Sequence, residues 1–233
     1  MGPLFARARL LYWHEFLWRE CPGRSIIQTF RHYRRSYRGR GSQSGRCLNQ
    51  EEELIMAINV AINGFGRIGR LVLRGIIESG RKDINVVAIN DLGSIEDNAH
   101  MLRYDSIHGP LKAKVEATAT GIRVNGKTIK VISERDPAAL PWGKFKVDVA
   151  MECTGLFTSH ETASKHIEAG AKRVLVSAPA SGADLTVVYG VNHNKLRKSH
   201  KVVSNASCTT NCLAPVAQVL DKNFGIARGY MTT

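Results

Sequence analysis

A cysteine at the start of a helical pattern is the residue best suited to nucleophilic chemistry. Cys208 follows the polar stretch Asn205-Ala-Ser and precedes apolar-periodic residues that continue to Leu220. At a first helical turn, the positive end of the helix dipole stabilises a thiolate, and free amides can hold the oxyanion formed when sulfur adds to a carbonyl. An isolated cysteine is more often a small buried residue. This is the expectation for Cys212, and the role of Cys208 therefore depends on its surroundings.

A glycine-rich turn between a strand and a helix favours dinucleotide binding. Gly64, Gly66 and Gly69 follow the apolar strand pattern at 58–63 in the spacing G-x-G-x-x-G. The first glycine allows a tight turn, the second lets the backbone approach a pyrophosphate, and the third lets helix and strand pack closely. Asp91 ends the next strand, where a carboxylate binds ribose hydroxyls and repels a 2′-phosphate. The pattern predicts a site for NAD, although strict use of NAD over NADP stays open.

A dinucleotide fold combined with a thiolate at its ligand edge implies one class of reaction. The sulfur adds to an aldehyde, the hemithioacetal gives a hydride to the nicotinamide, and an acyl acceptor releases the thioester. The loop Glu152-Cys-Thr-Gly155 follows a buried strand and should face the same cofactor. These residues predict the reaction class without its substrate.

The segments that must position these groups predict a doubly wound, mostly parallel α/β sheet of the Rossmann type. Apolar runs alternate with helical patterns, and they predict strands at 58–63, 84–90, 122–124, 128–132, 147–151, 173–177, 186–189 and 201–204. Asn125-Gly126 predicts a tight hairpin. Thr158 with Glu161 predicts a capping box for a helix that ends at Gly170. The helix after Gly69 is expected to face the sheet with an apolar stripe and to direct Arg74 outward.

Composition separates a basic leader from the rest of the chain. The 233 residues carry a formal net charge of +13, with 43% hydrophobic and 23% charged residues, values typical of globular proteins and without an apolar run that would suggest a membrane helix. Residues 1–55 hold ten Arg and no Lys. They are expected to be unfolded: a spurious or cleaved leader, a targeting segment or, less in keeping with the composition, an RNA-binding segment. Five cysteines without a paired metal-binding spacing favour a reduced, cytoplasmic setting and predict no metal site.

Four motifs resemble phosphorylating glyceraldehyde-3-phosphate dehydrogenases, and the resemblance extends over residues 57–233. They are Asn63-Gly-Phe-Gly-Arg-Ile-Gly-Arg70, Ala150-Met-Glu-Cys-Thr-Gly155, Val176-Ser-Ala-Pro179 and Ser204-Asn-Ala-Ser-Cys-Thr-Thr-Asn-Cys-Leu-Ala-Pro215. The resemblance implies glycolytic, NAD-dependent oxidative phosphorylation of glyceraldehyde 3-phosphate to 1,3-bisphosphoglycerate, with inorganic phosphate as second substrate and a homotetrameric assembly. It also implies an NAD-binding domain at 56–205 and the start of a catalytic domain at 206–233.

By the same resemblance, individual residues receive roles. Cys208 is the nucleophile, and Ser207 and Thr209 contact substrate or inorganic phosphate. The implied cofactor-binding residues are Gly64, Gly66, Arg67, Ile68, Gly69, Asp91, Arg135, Thr154, Gly155 and Ser177.

The resemblance is incomplete at one catalytic position. In this family the general base is a histidine after a Thr-Thr pair, whereas the sequence reads only as far as Thr232-Thr233, and none of its eight histidines matches. The sequence therefore predicts a chain truncated before that histidine, with little or no turnover of its own. The alternatives are an erythrose-4-phosphate dehydrogenase of the same family and a non-catalytic NAD- or RNA-binding fragment, although nucleic-acid binding is not favoured.

Overall fold

A computed structural model of the chain describes residues 57–232, so the predictions for the leader at 1–55 lie outside the described residues. The described part contains eleven strands and four α-helices. In chain order they are β1 (Ile58–Asn63), α1 (Arg67–Glu78), β2 (Ile84–Asn90), α2 (Ile95–Arg103), β3 (Tyr104–Asp105), β4 (Gly109–Pro110), β5 (Val115–Thr118), β6 (Gly121–Val124), β7 (Lys127–Ile132), β8 (Val149–Glu152), α3 (His160–Glu168), β9 (Arg173–Val176), β10 (Leu185–Thr186), β11 (Val202–Ser204) and α4 (Cys208–Phe224).

Nine of these strands form one sheet in the order β10-β11-β9-β8-β1-β2-β7-β6-β5. The seven strands from β10 to β7 are parallel, and β5 and β6 continue the sheet as an antiparallel extension of β7. The chain proceeds from β1 to β2 on one side, and later from β8 to β9 and β11 on the other. The strand order therefore reverses between β1 and β8, which is where such sheets bind ligands.

Alternating residues of the strands divide the core between the two faces of the sheet. Val60 and Ile62 pack on one face with Leu73 and Ile76 of α1. Their neighbour Ala61 packs on the opposite face, in a cluster with Trp142 and Val147, and Ala163 of α3 packs with strands β9 and β11. Helices thus cover both faces, and the prediction of a doubly wound, mostly parallel α/β sheet is confirmed.

The hairpin prediction is confirmed, whereas several predicted boundaries are wrong. Asn125 and Gly126 both have positive φ, as a tight turn between β6 and β7 requires. Helix α3 is capped by Ser159 with Thr162, one residue later than the predicted box. The Ser159 hydroxyl accepts from the Thr162 amide, and the Thr162 hydroxyl accepts from the Ser159 amide. These are the two hydrogen bonds of a capping box, formed one position later than predicted. The predicted strand at 186–189 shortens to Leu185–Thr186, and the one at 147–151 becomes Val149–Glu152.

Arg74 is buried rather than directed to solvent, contrary to the sequence prediction. Its guanidinium donates to the carbonyl oxygens of His108 and Gly109 at 3.2 and 2.7 Å and pairs with Glu78 at 2.8 Å. The segment around β3 and β4 covers this side of α1, so the arginine binds carbonyl oxygens instead of water. Helix α2 and strands β3 to β5 had no sequence prediction.

None of the helices formed by residues 57–232 combines the length and hydropathy that crossing a bilayer requires. The same residues contain no cluster of three metal-ligating side chains.

Candidate active site

One row of residues ends the parallel strands, and the predicted site residues follow directly after it. The sheet register aligns Ile132, Asn90, Asn63, Glu152, Val176 and Ser204 across six neighbouring strands. With about 4.8 Å between strands, this row spans about 24 Å. The sheet therefore brings the glycine turn, Asp91, Arg135, the Thr154 loop, Ser177 and the Cys208 turn to a single edge, along a length suited to an extended ligand.

Each of the three glycines in the turn between β1 and α1 is required for a different structural reason. Gly64 has a φ of +87°, and a Cβ there would lie 2.8 Å from the Thr154 backbone nitrogen. A Cβ on Gly69 would lie 2.1 Å from the Gly64 carbonyl oxygen, so only glycine allows the helix this close. A Cβ on Gly66 would meet no atom within 4 Å. The space beside Gly66 is therefore open, and a ligand could approach the backbone closely there.

The N-terminus of α1 offers unpaired amides to an anion. Its N-cap, Gly66, supplies no side-chain hydrogen bond, and its first turn holds no acidic residue. By contrast, the N-caps of α2, α3 and α4 are serines whose oxygens accept amides of their own helices. Amides left without a protein acceptor are what a pyrophosphate requires. Ile68, in this first turn, is half-buried.

Asp91 is held against the glycine turn. Its Oδ2 accepts from the Phe65 amide at 2.7 Å, and its Oδ1 accepts from the Gly93 amide at 2.8 Å and from the Asn98 side chain at 3.3 Å. These bonds fix the carboxylate beside Gly64 and Gly66, where an acid is expected to meet ribose hydroxyls.

Arg67 is bound to a carboxylate of the described chain. Its Nη1 lies 3.0 Å from Oδ2 of Asp105, at the end of β3. Burial alone would raise the pKa of Asp105, but the amides of His108 and Ile107 and the Arg67 guanidinium outweigh it and lower the pKa to about 2. Arg67 is therefore ion-paired, with its own side chain partly exposed beside the glycine turn.

The loops after β8, β9 and β7 differ in how firmly they are held. The Thr154 amide donates to Glu152 Oε1 at 2.7 Å, and its hydroxyl donates to the same oxygen. Gly155 is exposed with a φ of +77°, and Ser177 is half-buried with its amide bound to the Glu152 carbonyl. Arg135 is exposed after β7, with its amide on Glu134 Oε1 at 2.7 Å.

A buried polar network beneath these loops was not predicted from the sequence. Glu152, His166 and Asn63 are at most 2% exposed. His166 Nε2 lies 3.0 Å from Glu152 Oε2, which also accepts from Asn63 Nδ2 at 2.6 Å, and Trp142 donates to His166 Nδ1 at 2.9 Å. The only local signal was a polar residue ending each of several apolar strands.

Cys208 is the first residue of α4 and is exposed. The preceding turn is strained and hydrogen-bonded: Ala206 is buried with a φ of +55°, and its amide donates to the Ser204 hydroxyl at 3.1 Å. Ser207 caps the helix by accepting from the Thr210 amide at 3.0 Å, and its hydroxyl lies 3.3 Å from that of Thr209. The structure thus presents the thiol at a helix N-terminus, beside the two predicted hydroxyls.

The rest of α4 has no buried residue within the described chain. Leu213, Val216, Val219, Leu220 and Phe224 are exposed. Cys212 is exposed as well, so its predicted burial is wrong. Pro215 lies inside the helix and removes one of its backbone donors.

Cys153 shows what an unreactive thiol in this fold looks like. Burial, then the neighbouring Glu152 carboxylate, raise the pKa of Cys153 to about 12, against the smaller opposite effect of a hydrogen bond with Ser177. A thiol protonated at neutral pH is a poor nucleophile. Of Cys153 and Cys208, only Cys208 is placed to react.

Comparison with known proteins identifies the family to which the chain belongs. Residues 58–160 match the model described as glyceraldehyde 3-phosphate dehydrogenase, NAD binding domain, and residues 207–233 match the one described as glyceraldehyde 3-phosphate dehydrogenase, C-terminal domain. A glyceraldehyde-3-phosphate dehydrogenase of Xanthobacter flavus is 64% identical over 178 residues. The chain belongs to the glyceraldehyde-3-phosphate dehydrogenase family.

Two further relatives match over the same share of the chain. The glyceraldehyde-3-phosphate dehydrogenase of Cereibacter sphaeroides is 64% identical over 178 residues, and that of Geobacillus stearothermophilus is 56% identical over 179 residues. Each match, like that to the Xanthobacter flavus protein, covers 76% of this chain and 53% of the relative. The chain thus spans about half the length of the curated relatives it matches.

The predicted family, the Rossmann-type fold and NAD as cofactor are confirmed by these matches. The glyceraldehyde-3-phosphate dehydrogenase family is one of NAD-dependent oxidoreductases, and the matched NAD-binding domain contains the glycine turn and Asp91. The roles of individual residues and the domain boundaries at 55/56 and 205/206 stay predictions.

Proposed function

We propose that the protein to which this chain belongs oxidises and phosphorylates glyceraldehyde 3-phosphate with NAD as hydride acceptor. Membership of the glyceraldehyde-3-phosphate dehydrogenase family supports the substrate. The observation that carries the proposal is the position of Cys208, an exposed thiol at the N-terminus of α4, on the sheet edge that also carries the glycine turn and Asp91.

In this proposal Cys208 forms and breaks the covalent bonds. Its thiolate attacks the aldehyde carbon and forms a C–S bond, while the carbonyl electrons move to oxygen. The first amides of α4 lie where they can stabilise the oxyanion. Loss of a hydride from the same carbon re-forms the carbonyl as a thioester. Attack by a phosphate oxygen then forms the acyl phosphate and returns the electron pair to sulfur.

The hydroxyls of Ser207 and Thr209 are the proposed contacts for the substrate or for inorganic phosphate. Both flank Cys208, and the Ser207 oxygen is fixed as the helix cap. None of the eight histidines in the sequence matches the general base of the family. We therefore propose that the chain as given forms the thioester slowly and turns over little.

The residues of the glycine turn fit NAD, which supplies a pyridinium ring that accepts the hydride when bound. The free amides of α1 and the open space at Gly66 would hold the pyrophosphate, and Asp91 would hold the adenosine ribose. Arg67, Ile68 and Gly69 would shape the same turn. Arg135, Thr154, Gly155 and Ser177 follow the neighbouring strands and would line the rest of the ligand. Assembly into a homotetramer remains a prediction from the resemblance, and a cytoplasmic setting remains a prediction from the cysteine content.

A single-turnover experiment tests the proposal. The full chain is mixed with NAD and glyceraldehyde 3-phosphate in phosphate-free buffer, and NADH is measured alongside the intact mass of the protein. We expect stoichiometric NADH and an acyl adduct on Cys208 that added phosphate releases. C208S should form neither, whereas C212S, which changes the other exposed thiol of the same helix, should behave as wild type. An adduct on any other residue, or NADH in C208S, contradicts the proposal, and faster acylation by erythrose 4-phosphate would favour that alternative substrate.

A further inference from the structure

The polar network beneath the site lies at the point where the strand order reverses. Glu152 ends β8 and Asn63 ends β1, and the register places the two residues side by side. Asn90, at the end of β2, is the next partner in the same row. These three polar side chains are 1%, 2% and 5% exposed, respectively, on adjacent central strands of the sheet.

The Glu152 carboxylate is saturated with donors. Its Oε1 accepts from the amide and hydroxyl of Thr154, and its Oε2 accepts from Asn63 and His166. Because the Trp142 indole can only donate, His166 Nδ1 must accept, so the ring proton is assigned to Nε2. His166 is therefore neutral and donates to the carboxylate, and its contact with Glu152 is a hydrogen bond rather than an ion pair.

From Glu152 the hydrogen bonds lead to three strand-end loops. Thr154 is bound directly, and its backbone is the surface against which Gly64 packs. Asn63 Oδ1 accepts from Asn90 Nδ2 at 2.7 Å. Asn90 in turn donates to the Glu134 carbonyl at 2.8 Å and accepts from the Glu134 amide at 2.9 Å, next to Arg135.

We propose that Glu152 is a positioning residue that preforms the dinucleotide site by fixing the Thr154 loop, the glycine turn and the Glu134–Arg135 loop relative to one another. The inference rests on the proposed function, because it gives these loops the task of binding NAD. A buried carboxylate is costly, and a neutral side chain would cap a single strand at lower cost. Four donors on one acceptor-only group connect neighbouring strand ends in a way that an amide cannot reproduce.

Glu152→Gln is the sharpest test, because it keeps the size of the side chain and replaces one oxygen by a donor. Either Thr154 or the Asn63–His166 pair then faces an NH₂ group. The matched control is Val149→Ala, which removes buried apolar volume from the same strand without touching the network. Glu152→Ala removes all four acceptor contacts and serves as the stronger variant. Should it fail to fold, Glu152→Gln decides the question.

Two readouts are measured on the full chain: backbone hydrogen exchange without ligand, and NAD affinity by calorimetry. In Glu152→Gln we expect exchange of the Thr154 or Glu134 amide to rise by at least about tenfold, and NAD to bind about tenfold more weakly, because a hydrogen bond to a charged group is lost. In Val149→Ala the unfolding midpoint should fall, with both local exchange and NAD affinity unchanged.

The inference is overturned if Glu152→Gln matches Val149→Ala in exchange at these amides, or if it binds NAD like the wild type. Failure of the wild-type chain to bind NAD would overturn the proposed function instead. The exchange rates, which need no ligand, would still decide whether Glu152 fixes the loops.

Discussion

The strand-end row and helix α4 carry the two halves of the proposed chemistry, yet they are held in opposite ways. At the row, buried side chains such as Asn63, Asn90 and Glu152 connect neighbouring strands through hydrogen bonds. Helix α4 is fixed mainly at its first turn, where the Asn211 side chain donates to the carbonyls of Asn205 and Ser207 at 2.7 and 2.9 Å. The strand-end row, where NAD is proposed to bind, is thus held together by contacts among the described residues themselves.

Cys208, the proposed nucleophile, is by contrast positioned by one turn of a helix whose apolar residues are exposed. Phe224, at the far end of α4, is 83% exposed, and the side chain of Gln218 donates a 3.4 Å hydrogen bond to the Val191 carbonyl. We therefore expect stability and NAD binding to depend on the strand-end row, and the far end of α4 to contribute little to either.

The largest effect is expected at Gly69. Its alanine variant would place a Cβ 2.1 Å from the Gly64 carbonyl oxygen and should cost about 3 kcal/mol or more in unfolding free energy, because backbone atoms must move. Gly66→Ala, in the same turn but in open space, should cost less than about 1 kcal/mol. Urea unfolding measures both. Gly66→Ala should nevertheless weaken NAD binding, and equal stability losses in the two variants would contradict the assignment of separate roles.

A smaller loss is expected when the buried network is cut at His166. Alanine there leaves the Trp142 indole without an acceptor, removes one of the two donors to Glu152 Oε2 and opens a cavity, and it should cost about 2 to 3 kcal/mol. Phe224→Ala at the exposed end of α4 should change the unfolding free energy by no more than about 0.5 kcal/mol. Denaturant titrations of both variants compare the two regions directly. A costly Phe224→Ala would show that α4 is packed more firmly than its exposure indicates.

The smallest effect concerns acid stability through Asp105. Its folded pKa is about 2, below its ordinary 3.8, so its contribution to stability is complete above pH 3.8 and is lost as the pH falls toward 2. Asp105→Asn should therefore lose stability at pH 5 but match the wild type more closely near pH 2. The exposed Glu168→Gln is the control and should follow the wild type at both values. Thermal unfolding across this range measures the difference, and a pH-independent gap would refute the explanation that the amides of His108 and Ile107 and the Arg67 guanidinium stabilise the ionised carboxylate.

Much of the fold could be predicted because its signals are local. The strands β1 and β2 are mostly apolar runs that each end in an asparagine, and the three glycines fall between a strand and a helix at the spacing that a dinucleotide turn requires. Helix α2 escaped prediction because its residues are mostly polar, so it lacks a strong apolar period. Strands β3 to β5 have two to four residues each, too few to show alternation.

The buried network could not be predicted for a different reason. His166 lies in a polar helix and contacts Asn63, which is 103 residues away in the chain. Arg74 likewise has the spacing of an exposed residue and is buried by a segment 34 residues later. Tertiary contacts of this kind produce no periodic pattern in the sequence. The position of Cys208 at a helix start could be predicted because the residues on either side of it carry the signal.

Pro215 interrupts the backbone hydrogen bonding of α4. Proline has no amide hydrogen, so the Asn211 carbonyl lacks the bond that would continue the helical ladder across this point. The turn that begins at Cys208 is anchored to the sheet edge through Asn211, on the near side of the gap. Fraying that starts at Phe224 therefore meets a break in cooperativity before it reaches the thiol, and the far turns can rearrange while Cys208 keeps its position.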